Sequence, residues 1–134
     1  MDAASALADL TEISSQVEAA VVLDEQGAAI ASTLADEGGT ERLARAGTEL
    51  LEAAGSAFAR EGRTVSRLEV ALREGSVFAL NESDLAIVAR TSPNPSSGLV
   101  LYDLGTCLRA VAESRAKPKR RRRAPKRKQE TADA

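Results

Sequence analysis

From Val65 the apolar residues recur every second position, and this alternation is the strongest constraint on the fold. Ser66, Leu68, Val70 and Leu72 fall on one face, and Val65, Arg67, Glu69 and Ala71 on the other. Arg73-Glu74-Gly75 then turns the chain into Ser76-Val77-Phe78-Ala79-Leu80, and Asn81-Glu82-Ser83-Asp84 turns it into Leu85-Ala86-Ile87-Val88-Ala89-Arg90. Connections this short and polar predict a three-stranded antiparallel meander. Nothing upstream of Val65 continues the alternation.

The preceding segments follow other periods. Ala3, Leu7, Leu10, Ile13, Ser14 and Val17 lie at helical spacing and predict a first amphipathic helix. Two compact runs come next, 19–23 and 28–33, separated by Asp24-Glu25-Gln26-Gly27, and they predict a hairpin whose strands are buried on both faces. After Asp36-Glu37-Gly38-Gly39, Thr40 is the expected cap of a helix over about 41–61. One stripe of that helix holds Leu43, Ala46, Leu50, Ala53, Ala54 and Ala57. An adjoining stripe holds Gly47, Leu51, Gly55 and Phe58. Two glycines inside a helix cost about 1 kcal/mol each against alanine, so a close-packed partner element is expected to offset them. The loop 92–98 leads to a last helix, capped by Ser97, that buries Leu101, Leu104, Leu108 and Val111 and ends near Arg115, before Pro118.

The resulting order is helix, strand, strand, helix, three strands, helix. It predicts an α+β fold, an α/β sandwich in which helices cover a five-stranded, mostly antiparallel sheet. Phe58, Phe78 and Tyr102 are the only aromatics, and alanine supplies 26 of the 134 residues. The core must therefore be thin and its elements close together.

Charge divides the chain in two. Residues 1–116 carry 9 arginines, no lysine and 18 carboxylates, a net −9, and read as one folded domain. Residues 117–134 carry a net +7 and read as a disordered polybasic tail. Lys117, Lys119, Arg120, Arg121, Arg122, Arg123, Lys126, Arg127 and Lys128 are the candidate contacts to an anionic partner, either nucleic acid or an anionic membrane surface. No aromatic interleaves them, so base-specific reading is not expected. A solubilising extension, or a tail folded back on its own acidic body, remains open.

Composition also excludes chemistry. Without histidine there is no imidazole base or ligand, and with Cys107 alone there is no disulfide or multi-cysteine zinc site. Residues 1–116 offer no Schiff-base or phosphate-loop lysine, and no nucleotide or nucleophile-elbow motif occurs. Scattered acids alone give poor support to a carboxylate hydrolase. Asp24-Glu25 and Asp36-Glu37 lack the spacing of a calcium loop, and Cys107 reads as a small core hydrophobe. Arg42, Arg45 and Arg60 read as solvated helix charges. The expectation is a non-enzymatic protein with no cofactor, metal or small-molecule substrate. Met1–Leu10 has no basic residue or apolar run of a secretory signal, and no stretch is long and apolar enough to span a membrane, so a cytoplasmic location is expected. On the same reading Asn81-Glu82-Ser83 is not a glycosylation site.

This order of elements resembles the roadblock/dynein light chain family, over about residues 3–115. The resemblance is carried by Val21-Val22-Leu23-Asp24-Glu25-Gln26-Gly27-Ala28-Ala29-Ile30-Ala31, by the Ala- and Leu-rich central helix, and by Ser97-Gly98-Leu99. Longin and profilin-like folds share part of the order. The resemblance implies a sheet with the central helix on one side and both terminal helices on the other. It further implies a homodimer, in which the third strands pair edge to edge and the central helices pack antiparallel. Its members act as platforms for Ras-like small GTPases, and bacterial members often work beside one. In this chain the implied dimer surface draws on Gly47, Leu51, Gly55, Phe58, Arg67, Leu68 and Glu69; with Leu68 on the two-fold axis, Arg67 would face Glu69 of the other copy. The alternative function is a nucleic-acid-associated protein whose domain only dimerises while the tail binds DNA or RNA.

Overall fold

The structure, a computed structural model, describes the backbone of residues 2–123 and the side chains of residues 2–116. The first helix, α1 (Ala3–Ile13), is capped by Asp2, whose carboxylate accepts the Ser5 N–H at 2.9 Å. It buries Ala6, Leu7 and Leu10. The helical reading extended too far here. Ile13 is 69% exposed, and Val17 already belongs to strand β1 (Val17–Leu23). Ser14 is the C-cap, its backbone extended and its N–H donating to the Leu10 carbonyl, so the helix stops there and Val17 enters the sheet opposite Thr91.

β1 turns through Asp24–Gly27 into β2 (Ala29–Ser32). Asp24 builds that turn, since its Oδ1 accepts the N–H groups of Gln26 and Ala28 at 2.9 and 3.0 Å. The expectation of two fully buried strands holds for β1 alone. β2 lies at the sheet edge and is only partly covered. Small alanines give the same apolar run at an edge as in a centre, which is why the pattern misled.

The central helix α2 (Glu37–Ala59) starts four residues before the expected position. Its cap is Asp36, whose carboxylate accepts the Gly39 N–H at 2.7 Å, and a carboxylate also favours the positive end of the helix dipole. The Thr40 hydroxyl, expected as the cap, pairs with the Ser32 hydroxyl at 2.8 Å and so ties α2 to β2.

β3 (Arg67–Leu72), β4 (Gly75–Glu82) and β5 (Leu85–Thr91) form the meander. Ser83 and Asp84 both adopt left-handed backbone (φ 54° and 68°), the two-residue turn that matches the twist of a hairpin. The final helix α3 (Ser97–Arg123) begins just after Ser96, whose N–H donates to Gln16 Oε1 at 2.6 Å and whose carbonyl accepts from Val100. Ser97 is thus the first helical residue and not the cap. α3 also passes Pro118 and runs to Arg123, beyond the expected end near Arg115. Proline lacks the helical N–H and disfavours helix at its predecessor, and the Lys and Arg around it, good helix formers, act against that cost. The side chains of 117–123 and all of 124–134 lie outside the described residues, and so does the expected disorder of the tail.

All strand pairs are antiparallel, in the order β2-β1-β5-β4-β3. α1 and α3 cover one face, around Phe78, Ile87, Leu104 and Leu108. α2 covers the other, over Ala19, Val21, Ala79 and Val88. The α+β sandwich expected from the sequence is the fold observed.

Candidate interaction surfaces

Among the described residues no three His, Cys, Asp or Glu side chains come together to hold a metal. Cys107 is buried in the α1/α3 core, and burial followed by the charge of Asp9 pushes its thiol up to about 11, far from the thiolate a nucleophile needs. Arg42, Arg45 and Arg60 stand exposed on α2 and its end. No helix among the described residues is long and apolar enough to cross a membrane. Among the described residues the two sheet edges, β2 and β3, are the most distinctive surfaces.

The first edge is β3. Asn81 N–H donates to the Ser66 carbonyl at 2.8 Å, and the register repeats that bonding in steps of two, at Leu68–Ala79, Val70–Val77 and Leu72–Gly75. The backbone N–H and C=O groups of Arg67, Glu69 and Ala71 therefore face away from β4, into open space. The Arg67 and Glu69 side chains are exposed and form no ion pair among the described residues. On the α2 side of the sheet, Leu68 and Val70 are half-buried and Leu72 is 53% exposed. The helix of the same chain leaves this part of the sheet largely bare.

The central helix places the other expected residues unevenly. Gly47 is buried against Val88, and a Cβ added there would overlap both Val88 methyls. It answers the close-approach expectation, but inside its own chain rather than on an outer stripe. Leu51 packs partly on the same core, Gly55 has open space above it, and Phe58 is 44% exposed beyond the sheet. Glu41, Ala44, Arg45 and Thr48 line a groove toward β2. By helical geometry, Ala46, Leu50, Ala53 and Ala57 then fall on the opposite flank, turned toward the β3 side. The two stripes read from the sequence thus exchange parts of their roles. Periodicity locates an apolar stripe but cannot say which neighbour it meets.

Two surfaces were not singled out from the sequence. One is the β2 edge with its groove against α2, hidden because β2 read as a fully buried strand. The other is a patch on α3 where Leu99 and Tyr102 are 54% and 67% exposed, beside Arg67 and Arg109. The candidate anion contacts from Lys117 to Lys128 lie outside the described side chains.

No protein-family model and no curated protein matches the chain. Solved structures do. A Roadblock/LC7 domain from Streptomyces avermitilis superposes with a TM-score of 0.77 at 17% identity, over 85% of this chain and 98% of that one. A second Roadblock/LC7 domain structure from that organism gives 0.61 at 20% identity, over 79% and 94%. Myxococcus xanthus MglB gives 0.63 at 18% identity, over 84% and 85%. With the element order and the split of helices between the two faces, these likenesses identify the chain's fold as that of the Roadblock/LC7 domain.

Proposed function

We propose that the chain is a non-enzymatic, homodimeric regulator or scaffold for a Ras-like small GTPase, acting through surface contact. The observation that carries this reading is the β3 edge: outward backbone groups, partly bare apolar side chains beneath them, and a roadblock fold around them. An unpaired edge of this kind is a liability in a monomer, and pairing removes it. The roadblock/dynein light chain resemblance supplies the partner class.

The hydrogen-bonding parity of β3 sharpens the register of that dimer. With Leu68 opposite its own copy, Arg67 and Glu69 become mutual partners through the backbone groups that point outward. Shifting the axis to Arg67 or to Glu69 sets like charges opposite each other, which is unfavourable. The Leu68 register gives two attractive Arg67–Glu69 pairs, each contributing roughly 0.2–1 kcal/mol. It also brings Leu68 of both copies together on the α2 side.

Light scattering of the full chain tests the assembly, and a dimer at micromolar concentration is expected. Glu69→Arg should weaken it, and adding Arg67→Glu should restore it; a monomeric wild type overturns the dimer. Binding to a Ras-like GTPase, in its GTP and GDP states, should survive removal of 117–134. Loss of all binding with the tail, together with steep salt dependence, would favour the nucleic-acid reading instead.

A further inference from the structure

Packing supports only the first half of α2. Leu43, Ala44 and Gly47 are its buried residues, and none of the twelve positions from 48 to 59 is buried. Leu50 and Leu51 touch the core in part, Gly55 has open space above it, and Ala53, Ala57 and Phe58 are exposed. A helix of about twelve residues is marginal in water without a packed face, and Gly55 and Ser56 weaken the last turns further. The β2 flank gives this half no apolar cover. Glu49 and Glu52 stand there, and Asp24, Glu25 and Asp84 of two turns line the adjoining hollow.

We propose that the second half of α2 is ordered by a second copy of the chain, with Phe58 of each copy seated on Leu72 of the other. This rests on the β3 dimer and its Leu68 register. Within one chain the two side chains lie at opposite ends of β3: Leu72 closes the strand, and Phe58 precedes its start. Gly62 is left-handed (φ 70°) and turns the chain back, so that the Arg63 N–H donates to the Phe58 carbonyl at 3.2 Å. Phe58 therefore lies beside the stretch 62–64 that leads into β3. It follows Gly47 by eleven residues, about three helical turns, and so points as Gly47 does, toward the sheet layer.

Antiparallel pairing about Leu68 sets residue 64 of one copy opposite Leu72 of the other. Leu72, 53% exposed, rises from the sheet face that α2 covers, and Phe58, 44% exposed, descends toward it. Among the described residues these are the two large apolar side chains left exposed on the α2 side. A two-fold axis makes the contact twice. Area points to the same occupant. The six residues of β3 are about 20 Å of strand, and at a layer thickness of about 10 Å their edge covers roughly 200 Å² per copy. A stable interface takes about 800 Å² per partner. The strands alone fall short, and the uncovered half of α2 is the apolar surface that adjoins them. Assembly then completes a helix as well as a sheet, and the half of α2 nearest the seam is rigid only in the dimer.

Hydrogen exchange of the full chain, read beside light scattering, tests this. In the dimer the amides of residues 52–59 should exchange slowly. In the monomer, reached by Glu69→Arg or by dilution, they should exchange roughly tenfold faster or more, while those of 43–47 stay slow. Cross-linking tests the seat itself. Phe58→Cys chains mixed with Leu72→Cys chains, each also carrying Cys107→Ala, should form a disulfide-linked dimer under mild oxidation, and neither should when oxidised alone. The substituted positions are exposed, so the fold stays intact. A dimer whose 52–59 amides exchange as fast as the monomer's overturns the proposal and leaves the dimer standing, as does a mixture in which no disulfide joins the two kinds of chain. A wild type that is monomeric by scattering overturns both.

Discussion

On one face of the sheet, α1 and α3 bring Leu7, Leu10, Leu104 and Leu108 onto Phe78 and Ile87; on the other, α2 alone brings Leu43, Ala44 and Gly47 onto Ala19, Ala79 and Val88. The difference is one of width as much as of volume. Five strands at about 4.8 Å spacing make a sheet roughly 20 Å across, whereas one helix covers about 10 Å. Two helices can close a face of that size and one cannot. α2 settles over β1, β4 and β5, close enough to need a glycine at position 47, and touches β2 as well, while β3 and the outer side of β2 stay partly bare. The open β3 edge and the groove at β2 are consequences of the same shortage. The one-helix face is therefore where partners are expected, and the two-helix face is where stability resides.

The largest test of this contrast is Phe78→Ala. It removes the largest fully buried side chain from the two-helix face, and about 3–5 kcal/mol of stability should be lost in chemical denaturation. A loss below that of an ordinary alanine-to-glycine change would mean that this face does not carry the fold.

Gly47→Ala comes next. The added methyl must displace Val88 or lift α2, and overpacking of this kind costs about 1–3 kcal/mol. Better helix propensity offsets at most about 1 kcal/mol of that. A stabilised variant would show that α2 rides loosely on the sheet, and would break the close-packing account of the thin face.

The smallest effect concerns Cys107, on the thick face. Its thiol is held at about 11 in the folded chain against an ordinary value of 9.0. Above pH 9 the unfolded chain therefore loses this proton first, which favours unfolding, so stability should decline as pH rises from 9 toward 11. Cys107→Ala should flatten that decline in denaturation curves taken across the range. The folded wild type should likewise leave a thiol reagent unreacted at pH 8.

Much of this organisation was legible from residues alone. The alternation at Leu68, Val70 and Leu72, the turns at Gly27 and Asp84, and the stripe Leu104-Leu108-Val111 are local signals, and local signals survive in one dimension. The misreadings share a cause. Val17 fits a helical stripe and a strand equally well, and Thr40 and Asp36 are both competent caps. Gly47 belongs to whichever surface rotates toward the sheet. Each choice depends on a neighbour distant in sequence: Thr91 opposite Val17, Ser32 against Thr40, Val88 under Gly47.

The sequence by itself determined the kind and order of the elements, the division into an acidic domain and a basic tail, and the absence of imidazole chemistry. These follow from spacing and composition, which need no third dimension. The tertiary structure decided which strands became edges, which face of α2 met the sheet, and that carboxylates from α2 and from two turns line adjoining hollows beside β2. Those outcomes depend on how many helices a sheet can seat on each face, and that is a matter of packing in space.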